Sequence, residues 1–169
     1  MLELRPSFIA LLLVTLIGIT ACGGGGGSSP QAPSPKIVSI KLFNSGDPKI
    51  KLSGSEITLN LPDGVTPALK SDGSTADNVV VISGVAAPGT IIGPVYTPAT
   101  ATTKGTITFA FATSIKAGFS EGEFATIKLR VASEINPPQK DFLLSGYNPI
   151  DISYNPVTVL TATLTAQIE

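Results

Sequence analysis

The sequence is most informative in what it lacks. Its 169 residues contain no histidine, no tryptophan and a single cysteine, Cys22. A Ser-His-Asp or Cys-His catalytic site and a zinc site built on histidine or cysteine are therefore excluded. One cysteine also excludes an intrachain disulfide. From these absences we predict a protein that is not an enzyme and that carries no metal and no cofactor.

Charge is also scarce. Lys and Arg number 11 and Asp and Glu number 12, so the net charge is −1 and only 14% of residues are charged. The cations are scattered singly, and no basic stripe offers a surface to nucleic acid. Thr, Ser, Gly, Val and Ala are abundant instead. That composition is typical of β-rich, extracytoplasmic proteins, and we expect no nucleic-acid partner.

The first 21 residues have the pattern of a signal peptide. Arg5 precedes the apolar run 8–19, which is too short for a membrane-spanning helix of about 20 residues. An uncleaved anchor is the alternative. Small residues just before Cys22 and the abrupt change to polar sequence after it favour cleavage.

The stretch Leu-Ile-Gly-Ile-Thr-Ala-Cys at 16–22 resembles the lipobox of bacterial lipoproteins. Ile19, Thr20 and Ala21 stand where that family has an aliphatic residue and small residues before the acylated cysteine. The resemblance implies lipid attachment at Cys22, with diacylglycerol on the sulfur and a further acyl chain such as palmitate on the new N-terminus. The protein would then be lipid-anchored in the cell envelope. Gly23 replaces the Asp that retains some lipoproteins at an inner membrane, which favours the outer membrane in a two-membrane cell.

Residues 22–36 follow as a lipidated cysteine and a tether rich in Gly, Ser and Pro. The glycine half is predicted to be flexible coil and the proline half to be stiffer. Its root-mean-square reach is on the order of 20 Å. We expect it to hold the remaining chain near the membrane surface.

From residue 37 onward the apolar pattern has a period of two. Apolar and polar residues alternate at 38–42, 57–61, 107–111 and 125–131. This pattern predicts strands with one solvent-exposed face and one buried face. The unbroken apolar run 79–82 predicts a more buried strand.

The last segment, 157–168, sets Leu160, Leu164 and Ile168 opposite three threonines. Asp-Gly pairs at 63–64 and 72–73 and several prolines separate the runs. No stretch sustains a helical period. We predict that residues 37–169 form one all-β domain, an antiparallel β-sandwich of jelly-roll type.

Two adjacent segments carry a second family resemblance. The strand-like run 105–112 is followed by 118–131, in which Glu121-Gly122 precedes Phe-Ala-Thr-Ile. This pair, with the strand and turn at 57–65, resembles the cohesin family and its carbohydrate-binding-module superfamily. The resemblance implies a jelly-roll sandwich and non-catalytic binding. It departs from the family in its short N-terminal strand region, 37–52, and in its single copy. No dockerin-contact residue is transferred, because no contact motif matches position by position.

The function predicted is a lipid-anchored binding module that holds a protein or extracellular component at the envelope. The alternative is a polysaccharide-binding module. Sugars stack on aromatic rings, and Tyr96, Tyr147 and Tyr154 neighbour proline-containing loops, so they are the candidate binding residues, and their convergence on one face would favour the sugar.

Acidic residues offer two further hypotheses. A carboxylate-based hydrolase would use Glu121 and Glu123, which we expect to be loop-exposed. A calcium site would use Asp72, Asp77 or Glu121. No ligand run has calcium-site spacing, so solvated turn acids are expected at these positions.

Lipid attachment can be tested directly. Cells expressing the protein are grown with radiolabelled palmitate, and the protein should carry the label. The variant Cys22→Ala should lose it, because the thiol is the only attachment atom that the lipobox offers. Label that persists in the variant would refute the anchor.

Overall fold

The alternating segments form two packed β-sheets. The computed structural model describes residues 34–169, so the predicted signal peptide, Cys22 and nearly all of the tether lie outside the described residues. The strands are β1 (Lys36–Ser45), β2 (Leu52–Leu61), β3 (Val65–Thr66), β4 (Val80–Ile82), β5 (Gly89–Thr97), β6 (Gly105–Thr113), β7 (Gly122–Val131), β8 (Leu143–Asp151) and β9 (Thr161–Ile168). Single turns of 3-10 helix lie at Gly84–Ala86 and Gln139–Asp141. Within 34–169, no helix has the length and apolar character needed to cross a bilayer.

Both sheets are antiparallel. Sheet A has the order β3-β7-β1-β9, with β4 also pairing with β7. Sheet B has the order β5-β6-β2-β8. The prediction of an all-β, antiparallel sandwich is confirmed. Its first and last strands are neighbours, with Val38 opposite Ile168.

The core lies between the two sheets and is built by the predicted alternation. Phe109 and Phe111 of β6 and Ile127 and Leu129 of β7 come from opposite sheets and are at most 3% exposed. Phe111 stacks on Phe124 with ring centroids 5.4 Å apart. Burying each such side chain contributes about 1.5–3 kcal/mol to stability, so this inter-sheet layer supplies most of the driving force for folding.

The prediction of a more buried strand at the apolar run 79–82 is wrong in part. Val79 and Val80 are buried, but Val81 is 46% exposed. The run contributes only the three-residue strand β4 at the margin of sheet A, paired with β7. A strand of a two-layer sandwich has one face toward water, so an unbroken apolar run cannot be buried on both sides.

Glycine is required at two of the predicted turns. Gly64 has φ +74° in the turn that leads from β2 to β3. Gly122, in the acid-glycine pair that opens β7, has φ +129°, and a Cβ there would lie 2.7 Å from Cγ1 of Val85. A side chain would strain the backbone at either position.

The free edge of β9 is covered by one side chain. The Gln139 amide donates to the carbonyl oxygen of Leu164 at 3.1 Å and accepts from the N–H of Ala166 at 3.4 Å. Strand β9 contains neither proline nor a charged residue, so its edge lacks the usual barriers to pairing with another chain. Gln139 therefore occupies hydrogen-bonding positions that a neighbouring strand would use.

Removing that side chain should promote association. Gln139→Ala exposes the Leu164 and Ala166 backbone groups, and we expect more concentration-dependent self-association than in the parent, measured by sedimentation velocity. Gln167→Ala is the matched control, because Gln167 is an exposed glutamine of β9 whose side chain makes no hydrogen bond within residues 34–169. Equal sedimentation of both variants and the parent would show that Gln139 does not guard the edge.

Candidate functional site

The three candidate tyrosines do not share a face. Tyr96 is in β5 and pairs with Ile107 of β6. Tyr147 is in β8 and pairs with Ile57 of β2. Both pack against the core. Strands β5 and β8 are the two edges of sheet B, three strand spacings or roughly 14 Å apart. Tyr154 lies in the loop after β8 and is 79% exposed. The structure therefore assembles no platform from these rings.

Tyr147 links the two sheets. Its hydroxyl donates to Oδ1 of Asn44 at 2.8 Å, and Nδ2 of Asn44 donates to the carbonyl oxygen of Ser120 at 3.2 Å. Its ring lies 6.2 Å from the buried ring of Phe124. Burial raises the pKa of Tyr147 well above its usual value, so the hydroxyl remains a donor. Tyr147 thus supplies the hydrogen-bond donor that the side-chain oxygen of Asn44 needs, since Asn44 is only 3% exposed to solvent.

Tyr154 is presented by a tight loop. Oδ1 of Asp151 accepts from the N–H groups of Ser153 at 2.8 Å and Asn155 at 2.9 Å. These backbone hydrogen bonds, led by that of Asn155, lower the pKa of Asp151. Tyr154 itself has φ +65°, a conformation that non-glycine residues seldom adopt. Of the three tyrosines, this one offers an accessible ring.

Glu123 is not in a loop, contrary to expectation. It lies in β7, where Oε2 accepts from Nζ of Lys41 at 2.9 Å and Oε1 accepts from Oγ of Ser83 at 2.7 Å. The Lys41 contact, followed by that of Ser83, lowers the pKa of Glu123. A glycosidase general acid needs a raised pKa, so this environment favours the opposite ionisation. Glu121 is exposed, as predicted, and accepts from the N–H of Gly46 at 3.3 Å.

The remaining acids are turn residues. Oδ1 of Asp72 accepts from both the hydroxyl and the N–H of Ser74, and Asp77 pairs with Lys70 at 2.6 Å. Over residues 34–169, no three or more His, Cys, Asp or Glu side chains converge so as to hold a metal ion.

Exposed apolar side chains point instead to the outer face of sheet B. Ile92 and Val95 of β5 are 62% and 61% exposed, and Leu143 of β8 is 50% exposed. In register, Ile92 lies beside Ala110, Ala110 beside Glu56, and Glu56 beside Asn148. A shallow groove of about 340 Å³ crosses these strands.

This surface is nearly uncharged and is formed largely of short side chains. By register, the outward positions of its two central strands are Gly54, Glu56, Thr58, Asn60, Thr106, Thr108, Ala110 and Ala112. Their side chains are short, and Glu56 is the charged member. The outer face of sheet A differs, since it carries Lys41, Lys128 and Arg130 among serines and threonines.

The alternation pattern of the sequence did not predict that Ile92 and Val95 are exposed on the same face. Three residues apart on a regular strand, they would point to opposite faces. A register shift between Ile92 and Val95, where Gly93 and Pro94 intervene, turns both outward. The sequence signal was the Gly-Pro pair, because these residues inside a strand mark bulges and edges.

No family model, curated protein or solved structure matches this chain. The cohesin and lipoprotein resemblances therefore remain sequence-based predictions.

Tyr147→Phe separates a structural role from a binding role. The variant keeps the ring but leaves Oδ1 of Asn44 without its donor, so the free energy of unfolding should fall by about 1–3 kcal/mol. Chemical denaturation measures this change. Tyr154→Phe is the control and should change stability by less than about 0.5 kcal/mol, as surface substitutions usually do. Equal effects of the two variants would contradict the inter-sheet role of Tyr147.

Proposed function

We propose that this chain is a lipid-anchored envelope protein whose cohesin-like sandwich binds a protein partner non-catalytically. The binding surface is the outer face of sheet B. The observation that carries the proposal is the exposure of Ile92 and Val95 on β5, and of Leu143 on β8, on the same nearly uncharged sheet face. The partner is held at the cell envelope, with the outer membrane as the expected location.

The chemistry of this face favours a protein over a sugar. Exposed apolar side chains such as the neighbouring Ile92 and Val95 of β5 are typical of protein contact sites. The buried centres of protein interfaces are also depleted in charge. Sugar recognition relies on exposed rings, and of the three tyrosines only Tyr154 is well exposed, on a loop after β8. Polysaccharide binding at Tyr154 is the second candidate function, favoured by the exposure of that ring on a hydrogen-bonded loop.

The jelly-roll form of the sandwich is part of the proposal. It is supported by the way successive strands cross between the sheets, since β1 and β7 lie in sheet A while β2 and β8, which follow each of them, lie in sheet B. Jelly rolls combine two sheets through such Greek-key crossings.

The anchor is proposed from the lipobox-like stretch at 16–22. Strand β1 opens at Lys36, 14 residues after Cys22. The tether between Cys22 and this strand spans on the order of 20 Å. A partner bound to the domain would thus be retained close to the membrane.

The binding face is tested by capture of envelope proteins on immobilised full-length protein. Ile92→Asp and Val95→Asp each place a carboxylate where the partner would exclude water, so each should weaken capture at least about tenfold, equivalent to about 1.4 kcal/mol. Thr163→Asp is the matched control, because Thr163 is exposed on β9 of sheet A.

A glycan array run with the same proteins separates the second candidate. Glycan binding that Tyr154→Ala abolishes, together with capture that Ile92→Asp leaves unchanged, would replace the protein-binding proposal with the polysaccharide one. If only Thr163→Asp abolished capture, the binding surface would lie on sheet A and not on sheet B.

A further inference from the structure

A pocket opens where sheet A is interrupted beside β7. Arg130 pairs with Thr66 of β3 and Ile127 pairs with Val80 of β4. Between these two short strands the chain leaves the sheet, and only the N–H of Lys128 reaches across, to the carbonyl oxygen of Val79 at 2.8 Å. The gap forms a pocket of about 290 Å³.

The lining combines apolar residues with hydrogen-bond donors. Buried Val79 and Leu129 and half-buried Ile37 contribute to it. Asn78, Lys128 and Arg130 add polar side chains from exposed positions. The amide, the ammonium and the guanidinium are all donors to an anionic oxygen.

The two cations lack acidic partners. Lys128 and Arg130 are two residues apart on the same outward face of β7, which separates their backbones by roughly 7 Å. Throughout residues 34–169, the carboxylates within 4 Å of a cation belong to the pairs Lys41–Glu123 and Lys70–Asp77. Glu169 also lines the pocket, but its Oε1 accepts from Oγ of Ser39 at 3.2 Å. The side chains at the pocket therefore carry one net positive charge.

We propose that this pocket binds a phosphate group through Arg130, Lys128 and Asn78. A guanidinium presents two parallel donors that match two oxygens of a phosphate, and an ammonium adds a point charge. A bound anion would relieve the repulsion between the two like charges.

The phosphate has two sources, a lipid headgroup or free phosphate. Ile37 is the second residue of β1, so the pocket lies where the tether joins the domain. If Cys22 is lipidated, headgroups lie within reach of a tether of about 20 Å, so a headgroup source depends on the proposed anchor.

Nuclear magnetic resonance titration of the full-length chain in an uncharged maltoside detergent tests the site. Inorganic phosphate should shift the amide signals of Asn78, Lys128 and Arg130 saturably. Arg130→Gln and Lys128→Gln should each weaken binding at least tenfold. Lys49→Gln, an exposed lysine in the loop after β1, is the matched control and should change affinity less than twofold.

Arg130→Lys guards against a folding artefact. It retains the charge but removes the paired donors, so it should bind phosphate less tightly than the parent and more tightly than Arg130→Gln. The absence of a saturable shift, the same shifts with chloride at equal ionic strength, or parent-like affinity in both Gln variants would overturn the proposal.

A second arm identifies the source. Dihexanoylphosphatidylglycerol should shift the same signals and compete with phosphate, whereas dihexanoylglycerol, which lacks the phosphate, should not. Binding of phosphate but not of the phospholipid supports the site and overturns the headgroup as its source. Ile92→Asp, on the other sheet, should leave these shifts unchanged, so failure of this site and failure of the protein-binding face are distinguishable.

Discussion

The stacking of Phe111 on Phe124 joins the two sheets, and the rest of the structure depends on that contact. Phe124 reaches the interior because β7 carries a bulge against β1, where Leu42 pairs with Ala125 and Phe43 pairs with Glu123. The extra residue lets Phe124 and Ala125, which are consecutive, both be fully buried. The same bulge directs Glu123 outward to Ser83 and Lys41. One irregularity thus completes the core and positions Glu123 for its ion pair with Lys41.

The sequence predicted the class of fold because side-chain alternation is a local property. Alternating residues such as Ile107, Phe109 and Phe111 must share a face of any strand they form. Alternation does not say which strands pair or which sheet each strand joins, since those depend on contacts between distant residues. The run 79–82 shows the limit: its apolarity is local, but the exposure of Val81 follows from the position of β4 at the sheet margin.

The candidate binding face was harder to predict for a related reason. Tyr147 appeared accessible from its neighbouring proline, yet its hydroxyl is engaged with Asn44, a residue 103 positions away in sequence. Ile92 and Val95 share the outer face only because β5 shifts register between them. In both cases a strand irregularity or a long-range partner changes the exposure that a regular strand would give the side chain. Local periodicity carries no information about either.

The geometry of a sandwich relates the two proposed surfaces. The outer face of sheet B and the pocket at Arg130 lie on opposite sides of the core, because each belongs to the outward side of a different sheet. Sheets in a sandwich pack about 10 Å apart, so a ligand on one side does not obstruct the other. A domain whose sheet A contacts headgroups through Lys128 and Arg130 would direct Ile92 and Val95 away from the membrane. In this proposed arrangement the tether would limit the distance from the membrane and the phosphate contact would set the orientation, so that together they would present the apolar face to a partner.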